Sequence, residues 1–340
     1  MCRWTLLVAA LVVIASCAGS ADHATGDADA GDSRLAFPDS ARPDGADGAA
    51  PGDQSGPLPD FGPTETRDHV MFDLRLPKDA AEASSFGFDF DNDGKIDNAL
   101  GTLVSTLQAF TPQRSLVDDL RLSVLSGSTI LLMRVYAADF KNHVGTVGRY
   151  YLGSDRVCCT DQSSLAACRP QAMTTCFDGK TSFDVDSTQP ATDLKGSISG
   201  GQLTLGAKVL PIFVKISGSQ PVQVPLSGAI VKGTLHDDGS LSNGSIAGGL
   251  SQATIDGVLI PELAKLITDE INDPNTSQST RDQLINLFDA NKDNTVSAAE
   301  VKGNSLVSQL LKGDVDVDGD GKLDLTLGVG FEAVGAVIRK

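Results

Sequence analysis

The sequence is poor in aromatic residues and in histidine, and it lacks the short motifs of the best-known enzyme classes. Aromatic residues make up 5 % of the 340 residues, and there are four histidines. No GxSxG nucleophile elbow, no Walker loop and no GxGxxG that begins a helix occurs, so no catalytic or nucleotide-binding signature is present. The low aromatic content, together with 35 glycines, argues against a helical bundle and favours short strands joined by many turns.

Positive charge is also scarce. Lys and Arg number 27 against 44 Asp and Glu, which gives a formal net charge of −17. A surface this acidic repels phosphate backbones and anionic lipid headgroups, so nucleic acid is not an expected partner. The same surface suits divalent cations wherever its carboxylates cluster.

Long apolar runs are absent except near the N-terminus, where Leu6–Ala15 is uninterrupted. These ten residues are too few to cross a bilayer as a helix, but they match the apolar stretch of a signal peptide. The run ends in Ile14-Ala15-Ser16-Cys17, which resembles the lipobox of bacterial lipoproteins. The resemblance implies that residues 1–16 are removed and that Cys17 carries a diacylglycerol.

The residue after Cys17 is Ala18 and not Asp, which by the same resemblance implies the outer membrane. We therefore expect an exported outer-membrane lipoprotein, periplasmic or surface-exposed, with its lipid anchor in the membrane. The alternative is ordinary signal-peptide cleavage after Ala18-Gly19-Ser20, which would discard Cys17.

Residues 17–68 are predicted to form a disordered tether. They are rich in Ala, Gly, Asp and Pro, and they contain eleven acidic and three basic residues. Such a segment cannot bury enough apolar surface to offset the entropy lost on ordering it. The remaining residues, 69–340, are expected to form a single folded domain.

Four cysteines remain beyond the signal peptide and Cys17: Cys158, Cys159, Cys168 and Cys176. An even number of cysteines in one short, loop-rich segment of an exported chain predicts two disulfides. Because a bridge between adjacent residues is strained, Cys158 and Cys159 are expected to bond to Cys168 and Cys176, in an order that the sequence leaves open. A zinc site is the alternative, but the segment has no CxxC pair.

Hydrophobic patterning predicts an α+β fold with a mainly antiparallel β central region, flanking helices and a disulfide-bearing insertion at 153–190. The predicted strands are 129–138, 202–205 and 212–216, broken at Gly and Pro. The predicted helices are 100–110, one that Pro261 opens, and 280–288. Asp237-Asp238-Gly239 and Asn243-Gly244 are predicted to be hairpin turns.

The strongest motif is the segment Asp289–Glu300, which resembles the calcium loop of EF-hand proteins over its full length. Its oxygen donors occupy loop positions 1, 3, 5, 7, 9 and 12: Asp289, Asn291, Asp293, the Thr295 carbonyl, Ser297 and Glu300. Calcium takes about six to eight oxygens, and alternate residues of a tightly wound loop can converge on one ion. The resemblance implies an EF-hand-like unit over 279–311, although Gly303 is a potential interruption of its exit helix. The alternative is a solvated polar turn between two helices.

Two further segments, 89–101 and 316–328, are identical at eight of thirteen positions and form an internal repeat. Each carries a DxDxDG core that resembles EF-hand and dockerin-type loops. The resemblance implies two more calcium sites, with Asp89, Asp91, Asp93, Asp97 and the Lys95 carbonyl in one, and Asp316, Asp318, Asp320, Asp324 and the Lys322 carbonyl in the other. Four carboxylates this close would repel one another unless a cation neutralised them.

Both repeat segments depart from the EF-hand pattern at position 12, which is Leu100 in one and Leu327 in the other. The missing oxygens are expected from Asn98, Asp314, water or a distant carboxylate. The alternative for these segments is an Asp- and Gly-rich turn that binds no ion.

These loops predict that residues 69–340 form a calcium-binding domain in a non-catalytic lipoprotein. The role of calcium is expected to be structural, because loops near both ends of the folded region would tie distant segments together. The alternatives are a calcium-dependent extracellular hydrolase and a lipid- or polymer-binding surface protein, and a protein or polysaccharide partner stays open. His236-Asp237 would suit a hydrolase, but adjacent residues of a strand face opposite ways, so no catalytic residue is predicted.

Overall fold

The computed structural model describes residues 65–110, 115–214, 222–274 and 276–340. The long strands are β1 (Glu65–Arg75), β2 (Ile130–Ala137), β3 (Asn142–Gly153), β5 (Thr192–Ser199), β6 (Gln202–Val214), β7 (Val222–Leu235), β8 (Leu241–Leu250) and β9 (Leu325–Gly335). They pair antiparallel in this order, and β9 pairs with β1 to close a barrel. Two short strands, β4 (Ser182–Asp184) and β10 (Val337–Arg339), form a separate parallel pair.

The helices lie in the connections between strands. They are α1 (Ala80–Ala83), α2 (Leu100–Phe110), α3 (Leu116–Leu125), α4 (Leu165–Thr175), α5 (Gln252–Thr254), α6 (Ile260–Asn272), α7 (Gln278–Phe288), α8 (Ala298–Gly303) and α9 (Ser305–Leu310). A π-helical turn, Ile255–Leu259, joins α5 to α6. Within the described part of the chain, no helix is both long enough and apolar enough to cross a membrane.

The predicted α+β class with flanking helices is wrong, because the structure is a closed antiparallel barrel with few, short helices. Barrel strands such as β3 and β8 contain several glycines, and glycine in a local pattern indicates a turn or loop. Closure depends on pairs such as His69 with Gly335, which lie far apart in the chain. The hydrophobic periodicity of a short segment does not predict pairs of residues so far apart in the chain.

Several local predictions are confirmed. The apolar segment 129–138 contains β2, the segment 100–110 is α2, and 280–288 falls within α7. The helix at Pro261 is α6, which buries Ile267 and Ile271.

Both faces of the barrel wall are buried along β2, where alternate residues belong to different clusters. Leu131 and Met133 join the main core inside the barrel, whereas Ile130 and Leu132 pack outside with the disulfide-bonded segment. Burial on both faces explains why every residue of β2 except Arg134 is apolar or aromatic.

The segment between β3 and β5 covers part of the outer barrel wall. Cys158 is bonded to Cys176, and Cys159 is bonded to Cys168. The prediction of two disulfides with no bond between the adjacent cysteines is therefore confirmed. All four sulfur atoms are used in these bonds, so they are not zinc ligands.

Strand connections differ in length between the two ends of the barrel. One end, which we call the hairpin end, has the short connections 138–141, 200–201 and 236–240. The opposite end, which we call the loop end, has the long connections 76–129, 154–191 and 251–324. Because consecutive barrel strands alternate in direction, all three predicted calcium loops belong to connections at the loop end.

Two prolines lie inside strands, so the predicted strand breaks at proline are wrong. Pro211 in β6 and Pro225 in β7 face each other across the ladder. This part of the β6–β7 ribbon extends beyond the residues that pair with β5 and β8. The lack of an N–H group at each proline therefore costs no hydrogen bond to β5 or β8.

The predicted turn at Asn243-Gly244 is also wrong, because both residues lie within β8. Asn243 has a φ of 50°, and the pairing of β8 with β9 shifts register between Leu241 and Gly244. A residue with a positive φ occurs in β-bulges as well as in turns. The other predicted turn, Asp237-Asp238-Gly239, does join β7 to β8.

Candidate metal-binding loops

We call Asp89–Leu100 the first loop, Asp289–Glu300 the second loop and Asp316–Leu327 the third loop, and we number the residues of each from 1 to 12. All three loops have a positive φ at positions 4 and 6. The values are 60° and 85° for Asn92 and Gly94, 59° and 63° for Lys292 and Asn294, and 77° and 85° for Gly319 and Gly321. Asn and Gly tolerate this conformation better than other residues. The three segments therefore share one backbone winding.

The three loops also share their internal hydrogen bonds. The position 6 amide donates to the position 1 carboxylate at 3.0 Å in the first loop, 2.7 Å in the second and 3.0 Å in the third. The position 7 amide donates to the position 5 carboxylate at 2.8 Å in each loop. The position 5 amide donates to the position 3 side chain at 3.0, 3.1 and 3.2 Å. These bonds fix the oxygen donors in place, which lowers the entropy lost when an ion is bound.

The first loop brings carboxylates from both of its ends together. One oxygen each of Asp89, Asp91 and Asp97 lies within 4.8 Å of the others. The Asp89 Oδ1 atom is buried and has no hydrogen-bond partner among the described residues. Burial raises the pKa of Asp97, and the charges of Asp91 and Asp89 raise it further. A cation bound between these carboxylates would offset both the cost of burying them and their mutual repulsion.

The third loop, which lies against the barrel wall, groups the carboxylates of positions 1, 3 and 5 instead of 1, 3 and 9. Oxygens of Asp316, Asp318 and Asp320 lie within 4.8 Å of one another. Burial raises the pKa of Asp324 to about 6, helped by the charges of Asp318, Asp320 and Asp316. The Asp324 carboxylate lies against Gly249 of β8, where an added Cβ would come within 2.9 Å of Asp324 Oδ2. The third loop can therefore approach β8 this closely only because residue 249 is a glycine.

The repeat extends to the base of the two loops. An isolated antiparallel bridge joins Phe88 to Asp97, and a second joins Val315 to Asp324. Each bridge connects the residue before position 1 with position 9. The first and third loops are thus closed in the same way.

Two residues that were expected to complete the ion shells instead hold these loops to β9. The Asn98 side chain donates to the Gly328 carbonyl at 3.0 Å and accepts from the Gly328 amide at 2.9 Å. The Asp314 carboxylate accepts from the amide and the hydroxyl of Thr326 at 2.8 and 2.7 Å. Both loops are therefore fastened to the first residues of β9.

In the second loop, the side chain of Glu300 joins the two ends. Glu300 and Ser297 form a reciprocal capping box at the start of α8, and Glu300 Oε1 accepts from the Ala290 amide at 3.0 Å. The bonds from Ser297 and Ala290 hold the pKa of Glu300 below its usual value. Glu300 is thus kept as an anion beside position 2.

A helix outside the second loop supplies partners that the sequence analysis missed. The Thr268 hydroxyl in α6 accepts from the Val296 amide at 2.8 Å and donates to the Val296 carbonyl at 3.3 Å. One turn further on, Asn272 Nδ2 donates to the Asn294 carbonyl at 2.9 Å. The spacing of four between Thr268 and Asn272, which places them on one side of a helix, was the signal that could have indicated this contact.

Lysines at position 7 bind carboxylates at position 5 in the two repeat loops. Lys95 Nζ lies 2.8 Å from Asp93 Oδ2, and Lys322 Nζ lies 3.0 Å from Asp320 Oδ2. Both lysine side chains are about four-fifths exposed (82 % and 81 %). Because exposed ion pairs contribute little, a divalent ion can displace these ammonium groups at modest cost.

His236 lies at the hairpin end, opposite the three loops. Its Nε2 atom is 2.6 Å from Ser242 Oγ across the β7–β8 hairpin, and the imidazole is exposed. The prediction that no catalytic residue is present stays a prediction.

Comparison of the chain with protein-family models, with curated proteins and with solved structures found no match. The resemblances to the lipobox and to EF-hand and dockerin-type loops therefore stay predictions from sequence. The signal peptide, Cys17 and most of the tether lie outside the described residues, whereas β1 begins at Glu65, inside the segment predicted as tether.

Proposed function

We propose that this chain is an exported, membrane-anchored lipoprotein whose barrel binds calcium in three loops for a structural purpose, without catalysis. The first and third loops would hold an ion with their four aspartates and the Lys95 or Lys322 carbonyl. The second loop would use Asp289, Asn291, Asp293, Thr295, Ser297 and Glu300.

The observation that carries the calcium proposal is the shared conformation of the three loops. The loops were chosen by the spacing of their oxygen donors, and they have the same two positive φ positions and the same three hydrogen bonds. A plain polar turn does not require this agreement. The buried, unpartnered Asp89 Oδ1 atom further supports the presence of a cation in the first loop.

The position of the loops supports a structural role. The first loop follows β1 and the third loop precedes β9, and these two strands close the barrel. Asn98 and Asp314 fasten both loops to β9. An ion in either loop would therefore hold the seam at which the N-terminal and C-terminal parts of the barrel meet.

The expected stabilisation follows from mass action. Calcium sites of extracellular modules have a Kd of about 10⁻⁴–10⁻³ M. At about 1 mM calcium, a site with a Kd of about 10⁻⁴ M stabilises the folded state by about 1.4 kcal/mol. Three such sites would contribute a sizeable part of the stability of a single domain.

The test is a calcium titration of the purified chain by calorimetry, followed by thermal melting with calcium and with a chelator. We expect calcium to raise the melting temperature, and Asp91→Ala, Asp289→Ala and Asp318→Ala each to remove one site. Asp161→Ala, in the exposed part of the disulfide-bonded segment, is the matched control and should leave binding unchanged. A chain that binds no calcium at millimolar concentration and melts identically in chelator would refute the proposal.

The lipid anchor rests on the N-terminal sequence alone and has its own test. Metabolic labelling with a radioactive fatty acid should mark the native chain and not a Cys17→Ser variant. Equal labelling of both chains, or none of either, would reject lipidation at Cys17.

A further inference from the structure

His69 is a buried polar side chain that the calcium proposal does not explain. It lies in the middle of β1 and is 1 % exposed. Neither ring nitrogen has a hydrogen-bond partner within the described part of the chain. The backbone of Gly239 lies beside the imidazole and raises its pKa, against the larger lowering by burial, but it forms no hydrogen bond with either ring nitrogen. A buried imidazole with two unsatisfied nitrogens is costly unless something binds it.

The pairing of β1 with β2 places His69 among methionines inside the barrel. His69 stands directly opposite Met133, and Met133 belongs to the interior core. Met71 is two residues after His69 on the same strand, so it shares the same face, and it is also part of the interior core. The alternate residues Val70 and Leu132 belong to the outer cluster. The three side chains therefore share the inner face of the β1–β2 pair.

The grouping uses residues that are rare in this chain. The sequence has four methionines and four histidines. Met71, Met133 and His69 are each 1 % exposed, and opposed residues on antiparallel strands have Cβ atoms about 4.5–5.5 Å apart. Met173, the other methionine among the described residues, lies by contrast in the outer cluster.

We propose that His69, Met71 and Met133 form a binding site for a soft monovalent metal ion, Cu(I) or its analogue Ag(I), inside the barrel. One imidazole nitrogen and two thioether sulfurs are neutral, soft ligands, and thioethers select Cu(I) over hard ions. Zinc is disfavoured, because its sites use about four imidazole, thiolate or carboxylate ligands. A single positive charge costs less to bury than a double one, and the neighbouring charges of Asp68 and Arg67 act on it in opposite directions.

The ligands would be ready for the ion at neutral pH. Burial lowers the pKa of His69 to about 4, so the imidazole is neutral and its nitrogen lone pair is free to bind. The imidazole lies near Gly239 in the β7–β8 hairpin, whose residues His236–Asp238 are exposed. This hairpin is the element through which an ion would enter.

The experiment titrates the full chain with Ag(I) in chloride-free buffer that contains calcium, with Cys2→Ser and Cys17→Ser so that no free thiol competes. We expect tight binding of one ion. His69→Leu should weaken it about 100-fold, and Met71→Leu or Met133→Leu about 10-fold or more. Met173→Leu is the matched control and should bind like the parent chain. X-ray absorption of the Cu(I) form should show one nitrogen and two sulfur ligands.

Two results would overturn the proposal. One is the absence of Ag(I) binding at micromolar concentration by a folded chain. The other is binding that the His69 or both methionine variants leave unchanged. Loss of folding does not obscure the result, because Met→Leu exchanges conserve volume. His69→Leu removes an unpaired polar group, so it should raise the melting temperature of the metal-free chain, which a melt in the absence of Ag(I) records.

Discussion

The second loop and the two repeat loops have the same winding but different supports. The second loop is held by helices: α7 leads into it, α8 leaves it, and Thr268 of α6 binds both main-chain groups of Val296. The first and third loops are held by strands, through their base bridges and through bonds to the start of β9. The side chain at position 8 reflects this difference. Val296 is 4 % exposed, whereas Ile96 and Leu323 are 43 % and 53 % exposed.

Loops with the same alternating oxygen donors and the same positive-φ positions thus have one conformation on two kinds of support. The elements that flank the loop decide what an ion stabilises. An ion in the second loop would stabilise a set of helices, and an ion in the first or third loop would stabilise the barrel seam.

Loss of the connection between the first loop and β9 should have the largest effect. Asn98→Ala leaves the amide and carbonyl of Gly328 without their partner, so we expect a loss of about 2–3 kcal/mol in the free energy of unfolding. Urea unfolding in the presence of chelator measures it. Asn142→Ala, which removes one bond from an exposed residue, is the control and should cost less than about 1 kcal/mol. Equal losses for the two variants would contradict the role of Asn98.

Loss of the helix support should affect the second loop alone. Thr268→Val keeps the shape of the side chain but removes both bonds to Val296, so we expect a loss of about 1–2 kcal/mol. Calorimetry should show weaker calcium binding at one site and unchanged binding at the other two. Thr254→Val serves as the control, because its half-buried hydroxyl contacts Ser251 at the start of α5 and no calcium loop. A uniform weakening of all three sites would show that the supports are not separate.

The third loop should make stability depend on pH in the absence of calcium. The pKa of Asp324 is raised to about 6 in the folded state. Its contribution to the free energy of unfolding is therefore fully present below its unfolded pKa of about 4. That contribution is lost as the pH rises through about 6. We expect the melting temperature in chelator to fall over this range in the native chain relative to Asp324→Asn. Calcium should abolish the difference, since the ion favours the carboxylate.

Asp324→Asn is needed as the reference because His69 acts in the opposite direction. The pKa of His69 is lowered to about 4 in the folded state. Its contribution to the free energy of unfolding is therefore fully present above its unfolded pKa of about 6.5. It is lost as the pH falls towards 4. Identical melting curves for the native and Asp324→Asn chains at every pH would contradict the Asp324 prediction.

The smallest effect is expected from the lysines of the repeat loops. Lys95→Ala or Lys322→Ala removes an ammonium that competes with calcium for the position 5 carboxylate. Because the pairs are exposed, we expect a gain of only about threefold in calcium affinity. In the second loop the lysine is Lys292, at position 4. Because Lys292 has a positive φ, Lys292→Ala would change backbone strain as well as charge, so it is not a suitable control. Lys141→Ala at the hairpin end is the better control, and it should leave calcium affinity unchanged.

The sequence predicted features that depend on residues close together in the chain. The apolar run of β2, the helices α2 and α7, and the donor spacing of the three loops were all found in this way. The disulfide partners were predicted as a set but not as pairs, because connectivity depends on how α4 packs Cys168 towards Cys159. The barrel was missed because its glycine-rich strands lack a strict alternation of apolar and polar residues.

By itself, the sequence determined the chemistry of the loops and the local winding that their Asn, Gly and Asp residues favour. It also determined which cysteines were available for disulfides. The tertiary structure alone decided that β1 meets β9, that all three loops belong to one end of the barrel, and that His69 faces Met133 inside it. The physical reason is that winding depends on φ preferences and hydrogen bonds within a few residues, whereas closure and burial depend on contacts between residues that are distant in the chain.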